Sequence, residues 1–276
     1  MSSLPRIVGV YGGGRMGAGI AHAFLSAGSD VVVVETSADT AAAARGRVEA
    51  SLAKAVEKGA TGPFGTLTVT TSAEDLAPTE LVVEAVPELA DLKAQVLASV
   101  ERAAPGADIA TNTSSLSVDA LAGALSEPGR LVGLHFFNPV PASALVEIVV
   151  GQRTDPALVT RAQQWVAGLA KTAITVTDSP GFASSRLGVM LALEAMRMLE
   201  EGVASAEDID TAMTLGYRHP VGPLRTTDIV GLDVRLDIAE HLARELGPRF
   251  EPPALLRELV AAGKLGRKSG EGFYTW

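Results

Sequence analysis

The sequence predicts an α/β protein: a doubly wound sheet followed by an all-helical C-terminal domain. Three observations carry this. Short apolar, β-branched runs alternate with helical patterns over the first 178 residues. Residues 31–34 are four consecutive valines, the pattern of a parallel strand covered on both faces. After Asp178-Ser179-Pro180-Gly181 no strand pattern recurs. The boundary is therefore placed between domains at 1–178 and 179–276.

The elements follow in order. Residues 6–12 form a short apolar run broken by glycine, a buried strand. Met16, Ile20 and Phe24 then line one helix face, and Gly28 is a natural C-terminal stop. After the valine strand, the alanine-rich stretch 38–58 reads as helix. Strands are expected at 67–71, 81–85, 109–111, 131–136, 145–150 and 174–176. Helices are expected at 91–102 and 118–125, and from Asp155-Pro156, an N-cap and first-turn pair. In the second part a helix over 183–201 ends at Gly202. Ser205-Ala206-Glu207-Asp208 resembles a capping box, and 228–246 and 253–262 read as two more helices.

Bulk properties exclude several classes. A chain of 276 residues that is 47% hydrophobic has ample material for a core. The net charge of −9 and the lack of a long basic run argue against nucleic acid as a partner. The short cluster Lys264, Arg267 and Lys268 reads as a solvated helix end. Cysteine is absent, which excludes disulfides, thiolate metal sites and a cysteine nucleophile, and fits a cytoplasmic protein. No metal site is expected. The N-terminal stretch lacks the charged and apolar regions of a signal peptide. The most apolar helix, 187–199, contains Glu194 and Arg197 and is too short to span a bilayer, so no membrane is expected.

Gly12-Gly13-Gly14-Arg15-Met16-Gly17 fits G-x-G-x-x-G with a strand before it and a helix after it. Gly12 permits the tight turn, Gly14 lets the backbone approach a pyrophosphate, and Gly17 lets helix pack on strand. The helix N-terminus then presents free N–H groups to the phosphates. This makes the first domain Rossmann-type. The second strand ends at Glu35, 23 residues after Gly12. A carboxylate there accepts hydrogen bonds from ribose hydroxyls and repels a 2′-phosphate. Thr36 and Ser37 supply no arginine, so NAD is favoured over NADP.

Of four histidines, His22 and His241 read as structural or solvated, and His219 precedes Pro220 in a loop with no evident partner in the sequence. His135 ends a buried strand, at the sheet edge where such folds bind ligands. Glu147 lies inside the apolar strand LVEIVV, where a carboxylate is costly unless paired. The turn Asn138-Pro139-Val140-Pro141 can return Glu147 to His135. Such a pair fixes the imidazole tautomer and suits a general base removing a hydroxyl proton. The alternative is a core histidine beside a solvated edge glutamate. Thr111-Asn112-Thr113-Ser114-Ser115 brings hydroxyls to the same sheet end, and equally suits a helix N-cap.

The stretches VYGGGRMGAGIA, VVEAVPE, TNTSSLS, GLHFFNPVP, LVEIV, DSPGF, EDIDTAM, HPVGPL, DIVGLD and GRKSGEGFY, in this order, resemble the L-3-hydroxyacyl-CoA dehydrogenase family over nearly the whole chain. The resemblance implies an NAD-dependent, reversible oxidation of the 3-hydroxyl of an acyl-CoA such as 3-hydroxybutyryl-CoA. It also implies a homodimer formed through the C-terminal helices. It implies His135 as catalytic base, Glu147 as its orienting carboxylate, and Ser114 as a contact to the substrate 3-oxygen near the nicotinamide. Gly12 to Gly17 and Glu35 match NAD contacts. Glu88, Lys93, Asn138 and Lys268 match further positions along the cofactor site, and Asn138 also borders the substrate. Ser51 and Lys58 match positions that touch CoA.

Three departures stand out. Ser185 occupies the place of an asparagine that contacts substrate in the family, and offers one donor on a shorter arm. Ala144 replaces a common lysine before LVE. The segment 59–65 is shorter than usual, which bears on the CoA-facing helices. A dehydrogenase of a free hydroxy or sugar acid on the same scaffold, and a non-catalytic NAD-binding protein, remain the alternative readings. Ser51 and Lys58 favour CoA over the first, and the Ser114, His135 and Glu147 set argues against the second.

Overall fold

The computed structural model describes residues 4–276. Residues 1–3, the start of the stretch read above as lacking a signal peptide, lie outside it. The chain divides into two compact units, one ending at Ser179 and one running from Pro180 to Trp276.

The first unit is built on an eight-stranded sheet. Its strands are β1 (Ile7–Tyr11), β2 (Asp30–Val34), β3 (Leu67–Thr70), β4 (Leu81–Glu84), β5 (Asp108–Thr111), β6 (Leu131–Phe136), β7 (Leu145–Val150) and β8 (Thr172–Thr177). Their spatial order is β3-β2-β1-β4-β5-β6-β7-β8. The helices are α1 (Arg15–Ser26), α2 (Ala38–Glu57), α3 (Ala90–Ala103), α4 (Val118–Ala122) and α5 (Pro156–Gly168). The order of strands reverses beside β1, which places the ligand crevice at the carboxyl ends of β1 and β4. Val8, Val10, Val31, Val33, Ile20, Phe24 and Leu25 are buried in one core, and this supports the α1 face expected from the sequence.

Two local differences have physical causes. No helix separates β6 from β7, so the short connection makes them antiparallel, and β8 then pairs parallel with β7. Helix α4 stops at Ala122 rather than continuing to residue 125. The N–H groups of Gly123, Ala124 and Leu125 each turn back to the carbonyl three residues earlier, so the helix ends in tight turns.

The second unit contains α6 (Ser184–Glu200), α7 (Ala206–Thr211), α8 (Pro223–Val230), α9 (Leu232–Leu246) and α10 (Ala254–Ala261). Ser205 caps α7 by accepting from Asp208 N at 3.1 Å. The single helix expected over 228–246 is two helices. Gly231 between them has φ +110°, a conformation an L side chain rarely adopts, and α8 begins earlier, at Pro223. The break is tied to the C-terminal tail. Asp228, 1% exposed, accepts from Phe273 N, Tyr274 N and Trp276 Nε1 at 2.9, 2.9 and 2.8 Å. No named strand lies in this unit among the described residues. No helix of the described residues is long and apolar enough to cross a membrane.

Candidate active site

The glycine loop joins β1 to α1. Gly12 has φ +94°, and a Cβ on Gly17 would sit 1.8 Å from Gly12 O, so only glycine lets the helix start this close to the loop. Glu35, just past β2, accepts Gly13 N on Oε1 at 2.6 Å and Thr36 N on Oε2 at 3.2 Å. Each carboxylate oxygen takes more than one donor, so Glu35 keeps capacity for ribose hydroxyls while steadying the loop. Loop and carboxylate border a cleft of about 780 Å³, together with Met16, Val86, Leu92 and Gln95. The loop has the bare backbone that a pyrophosphate needs. A Cβ on Gly13 would lie 2.4 Å from Ala44 Cβ, whereas one on Gly14 meets nothing within 4 Å, so that face is open for a ligand.

Two residues past β5 the chain carries Thr113, Ser114 and Ser115, and all three bind one carboxylate oxygen. Glu88 Oε1 accepts Thr113 Oγ1 at 2.6 Å, Ser114 N at 2.8 Å, Ser114 Oγ at 3.3 Å, Ser115 N at 2.9 Å and Ser115 Oγ at 3.0 Å. Burial opposes its charge, but the Lys93 ammonium and these hydrogen bonds hold the Glu88 carboxyl below its ordinary value. Lys93, on α3, is 1% exposed and reaches Glu88 Oε2 at 3.3 Å. It also donates to Glu84 at 2.8 and 3.1 Å and to Val86 O at 3.1 Å. Glu84, at the end of β4 and fully buried, accepts Thr111 Oγ1 at 2.6 Å and Val86 N at 2.7 Å as well. The sequence reading named Glu88 and Lys93 but missed Glu84. The signal was a charge closing the apolar run LVVE, the same kind of anomaly that singled out Glu147.

His135 and Glu147 face one another across the antiparallel pair β6–β7. Nδ1 and Oε2 are 2.7 Å apart, with the side chains 8% and 0% exposed. The short connection through Asn138 creates this register, so the pair expected from sequence is formed and Glu147 is not a solvated edge residue. With Nδ1–H donating to the carboxylate, Nε2 is left as the acceptor. Phe137 packs on the imidazole, its centroid 4.5 Å away. Thr111 of β5 lies opposite Gly133 of β6, so Ser114 and His135 extend from the same end of neighbouring strands.

Ser51 and Lys58 border a second cleft of about 740 Å³, with Arg15, Arg47, Lys54 and Asn138. Four of these are cations, and Arg47 also donates to Gly13 O at 3.2 Å, joining this wall to the glycine loop. Ser51 Oγ lies 3.0 Å from His22 Nδ1, and burial, with the Lys171 charge, holds His22 below its ordinary pKa. His22, read as structural or solvated, is 6% exposed and borders the cleft. Arg15, Arg47 and Lys54 were not assigned to a CoA site from sequence; only the i, i+4, i+7 and i+11 spacing of 47, 51, 54 and 58, on α2 and its C-cap, signalled a common face.

In the second unit Ser185 stands in the first turn of α6. Lys268 is held by Asp233 Oδ2 at 2.5 Å, and Lys264 by Glu271 at 2.6 Å. Among the described residues no group of three or more His, Cys, Asp or Glu side chains is placed to hold a metal ion.

A glycine loop on a Rossmann sheet, an acidic residue closing β2, and a buried imidazole–carboxylate pair at the sheet end define an NAD-dependent oxidoreductase. Comparison with known proteins takes this further. The NAD binding domain of 3-hydroxyacyl-CoA dehydrogenase matches residues 7–179, and the C-terminal domain of the same enzyme matches 181–276. The chain belongs to the 3-hydroxyacyl-CoA dehydrogenase family. It is 42% identical to a 3-hydroxybutyryl-CoA dehydrogenase of Mycobacterium tuberculosis, covering 100% of both chains. It is 39% identical to the mitochondrial hydroxyacyl-coenzyme A dehydrogenase of Sus scrofa, covering 99% of this chain and 92% of that one. Its fold matches the crystal structure of (S)-3-hydroxybutyryl-CoA dehydrogenase from Ralstonia eutropha with a TM-score of 0.94, 39% identity and 99% of each chain covered.

Proposed function

We propose that this chain oxidises the 3-hydroxyl of a 3-hydroxyacyl-CoA, such as 3-hydroxybutyryl-CoA, reversibly to the ketone. The observation that carries the mechanism is the buried His135–Glu147 pair at 2.7 Å. Glu147 holds the Nδ1–H tautomer and stabilises the imidazolium that forms when Nε2 takes the hydroxyl proton. NAD held at the glycine loop would supply the acceptor for the hydride that leaves C3. Glu88 holds Ser114 N at 2.8 Å, and the Ser114 hydroxyl turns from its longer 3.3 Å bond to Glu88 to donate to the 3-oxygen. Lys93 and Glu84 fix Glu88 in turn. The glycine loop and Arg15 serve the pyrophosphate, Glu35 the adenine ribose, and Asn138 the rest of the cofactor site. The cationic second cleft, with Ser51 and Lys58, suits the phosphates of CoA. That charge favours a CoA thioester over a free hydroxy acid.

The C-terminal helices pair two copies, consistent with Leu187, Leu215 and Tyr217 being 71, 78 and 76% exposed. The test is His135→Ala. It should lose turnover of 3-hydroxybutyryl-CoA while binding NADH as the parent does; normal turnover would end the proposal.

A further inference from the structure

The second cleft of the first unit holds one titratable group that its cations leave uncharged. Arg15, Ala18, Gly19 and His22 of α1, at i, i+3, i+4 and i+7, border it with one helix face. Arg47, Ser51 and Lys54 of α2 border it as well, and the uncharged connection from Asn138 to Ala142 adds a third wall. Among the described residues four cations and no carboxylate line this space. Such a lining favours a polyanion, and the imidazole sits within it at 6% exposure.

The two ring nitrogens of His22 are placed differently. Nδ1 is engaged by Ser51 Oγ at 3.0 Å. Nε2 has no hydrogen-bond partner among the described residues. A purely structural histidine is ordinarily satisfied at both nitrogens. Asp233 Oδ1 and Arg235 Nε are the atoms that are both unpaired and sealed from solvent among the described residues, so Nε2 keeps access to open space, and the space His22 borders is the cleft. With the cleft empty the ring stays neutral. Burial disfavours the imidazolium, and the Lys171 ammonium, just before β8, adds to that. Lys171 is itself fixed to the uncharged wall, donating to Val140 O at 2.7 Å and Ser143 O at 2.5 Å. No acidic side chain acts on His22 in the opposite sense.

We propose that His22 is a ligand-binding residue of this cleft: Nε2 donates to a phosphate group of CoA, and the imidazole takes one proton from solvent as that phosphate enters. This rests on the reading of the second cleft as the site of the CoA phosphates. A phosphate beside the ring reverses the field set up by the cations, and at a buried site an opposite charge acts strongly. The imidazolium then donates from both nitrogens, through Nε2 to the phosphate and through Nδ1 to Ser51 Oγ. Ser51, accepting from the ring, is left with its own proton to offer the ligand. The four permanent cations give an affinity that is flat around neutral pH; His22 makes it rise as pH falls.

The experiment titrates free CoA into the full chain in a calorimeter, near neutral pH, in two buffers of different ionisation enthalpy, which counts the protons taken up. The parent should take up about half a proton more per CoA than His22→Gln, whose amide keeps a contact to Ser51 but does not titrate. The corresponding affinity should rise about threefold more per pH unit of acidification in the parent than in the variant. Comparing parent with variant cancels the titration of the CoA phosphate itself. The same titration with 3′-dephospho-CoA separates the two sources of phosphate: an uptake that is lost assigns the contact to the 3′-phosphate, and one that persists assigns it to the diphosphate. A second measurement needs no variant. Histidine NMR of the parent, with the His22 ring assigned by its proximity to Ser51, should show its titration midpoint raised by about one pH unit or more when CoA is bound.

CoA bound with the same proton count by parent and His22→Gln would overturn this inference and leave the CoA reading of the cleft standing. So would a His22 midpoint that CoA leaves unmoved. CoA that fails to bind the parent, or that binds as tightly once Arg47 and Lys54 are both replaced by alanine, would overturn the reading of the cleft itself, and this inference with it.

Discussion

Replacing Glu147 with glutamine isolates the electrostatic role of the carboxylate. The two side chains have nearly the same volume, and an amide oxygen can still accept from His135 Nδ1–H across the 2.7 Å separation. The position and ring orientation are kept; the charge is removed. A general base takes up the proton only during the step, so little is lost before it. In the transition state it is becoming an imidazolium about 4 Å, centre to centre, from where the carboxylate charge was. At an effective dielectric of about 20, two unit charges at that distance interact by about 4 kcal/mol. Both side chains are buried, so solvent screens this poorly. Glu147→Gln should therefore lower kcat by about a thousandfold, with KM and NADH affinity near the parent values. Steady-state NADH formation from 3-hydroxybutyryl-CoA measures the first quantity, and NADH fluorescence titration the last. A kcat within about threefold of the parent would refute the reasoning, since a neutral hydrogen bond would then suffice.

Other outcomes follow from the same geometry. Gly17→Ala places a Cβ 1.8 Å from Gly12 O, so it should destabilise the fold by about 4 kcal/mol in urea unfolding and abolish NADH binding; a stable, binding variant would contradict the close approach. Glu35→Ala should lower the NAD-over-NADP ratio of kcat/KM by about tenfold, as a charged acceptor is lost and repulsion of a 2′-phosphate with it; an unchanged ratio removes Glu35 from the ribose site. Glu88 is held below 4.5 in the folded chain, so its ionised form stabilises the fold above that pH and the benefit fades as pH falls through the lowered folded value. Urea midpoints of the parent and Glu88→Gln should accordingly differ at neutral pH and converge in acid, and a gap independent of pH would count against the Glu88 network.

Much of the architecture was legible because it is written in local patterns. The valines of β2, the face of Met16, Ile20 and Phe24, and the glycine spacing of the loop each report their own surroundings. The His135–Glu147 pair was legible for a different reason: a charge inside an apolar strand demands a partner, and a short turn supplies one. What local pattern cannot carry is register and distance between separate elements. The direction of β7 depends on a missing helix, not on its composition. The break at Gly231 depends on a tail more than thirty residues later that needs Asp228. Glu84, Lys93 and Glu88 come from the end of β4, from α3 and from the loop between them; the sequence exposed only a charge after LVV and left its partner unnamed. Arg235, 7% exposed, was passed over because one charge among several in α9 looks like part of its polar face until the helix phase is fixed by the buried Leu232, Ala239 and Leu242.

The most direct measurement is NADH formation from 3-hydroxybutyryl-CoA beside that from free 3-hydroxybutyrate, with the same enzyme and saturating NAD. The cationic cleft at Ser51 and Lys58 and the pair at His135 together predict rapid turnover of the thioester, with kcat/KM above that of the free acid by about a hundredfold or more, because binding energy from the remote CoA moiety serves the reaction at C3. Equal or better turnover of the free acid would contradict the account, and would assign this scaffold to a hydroxy acid that carries no CoA.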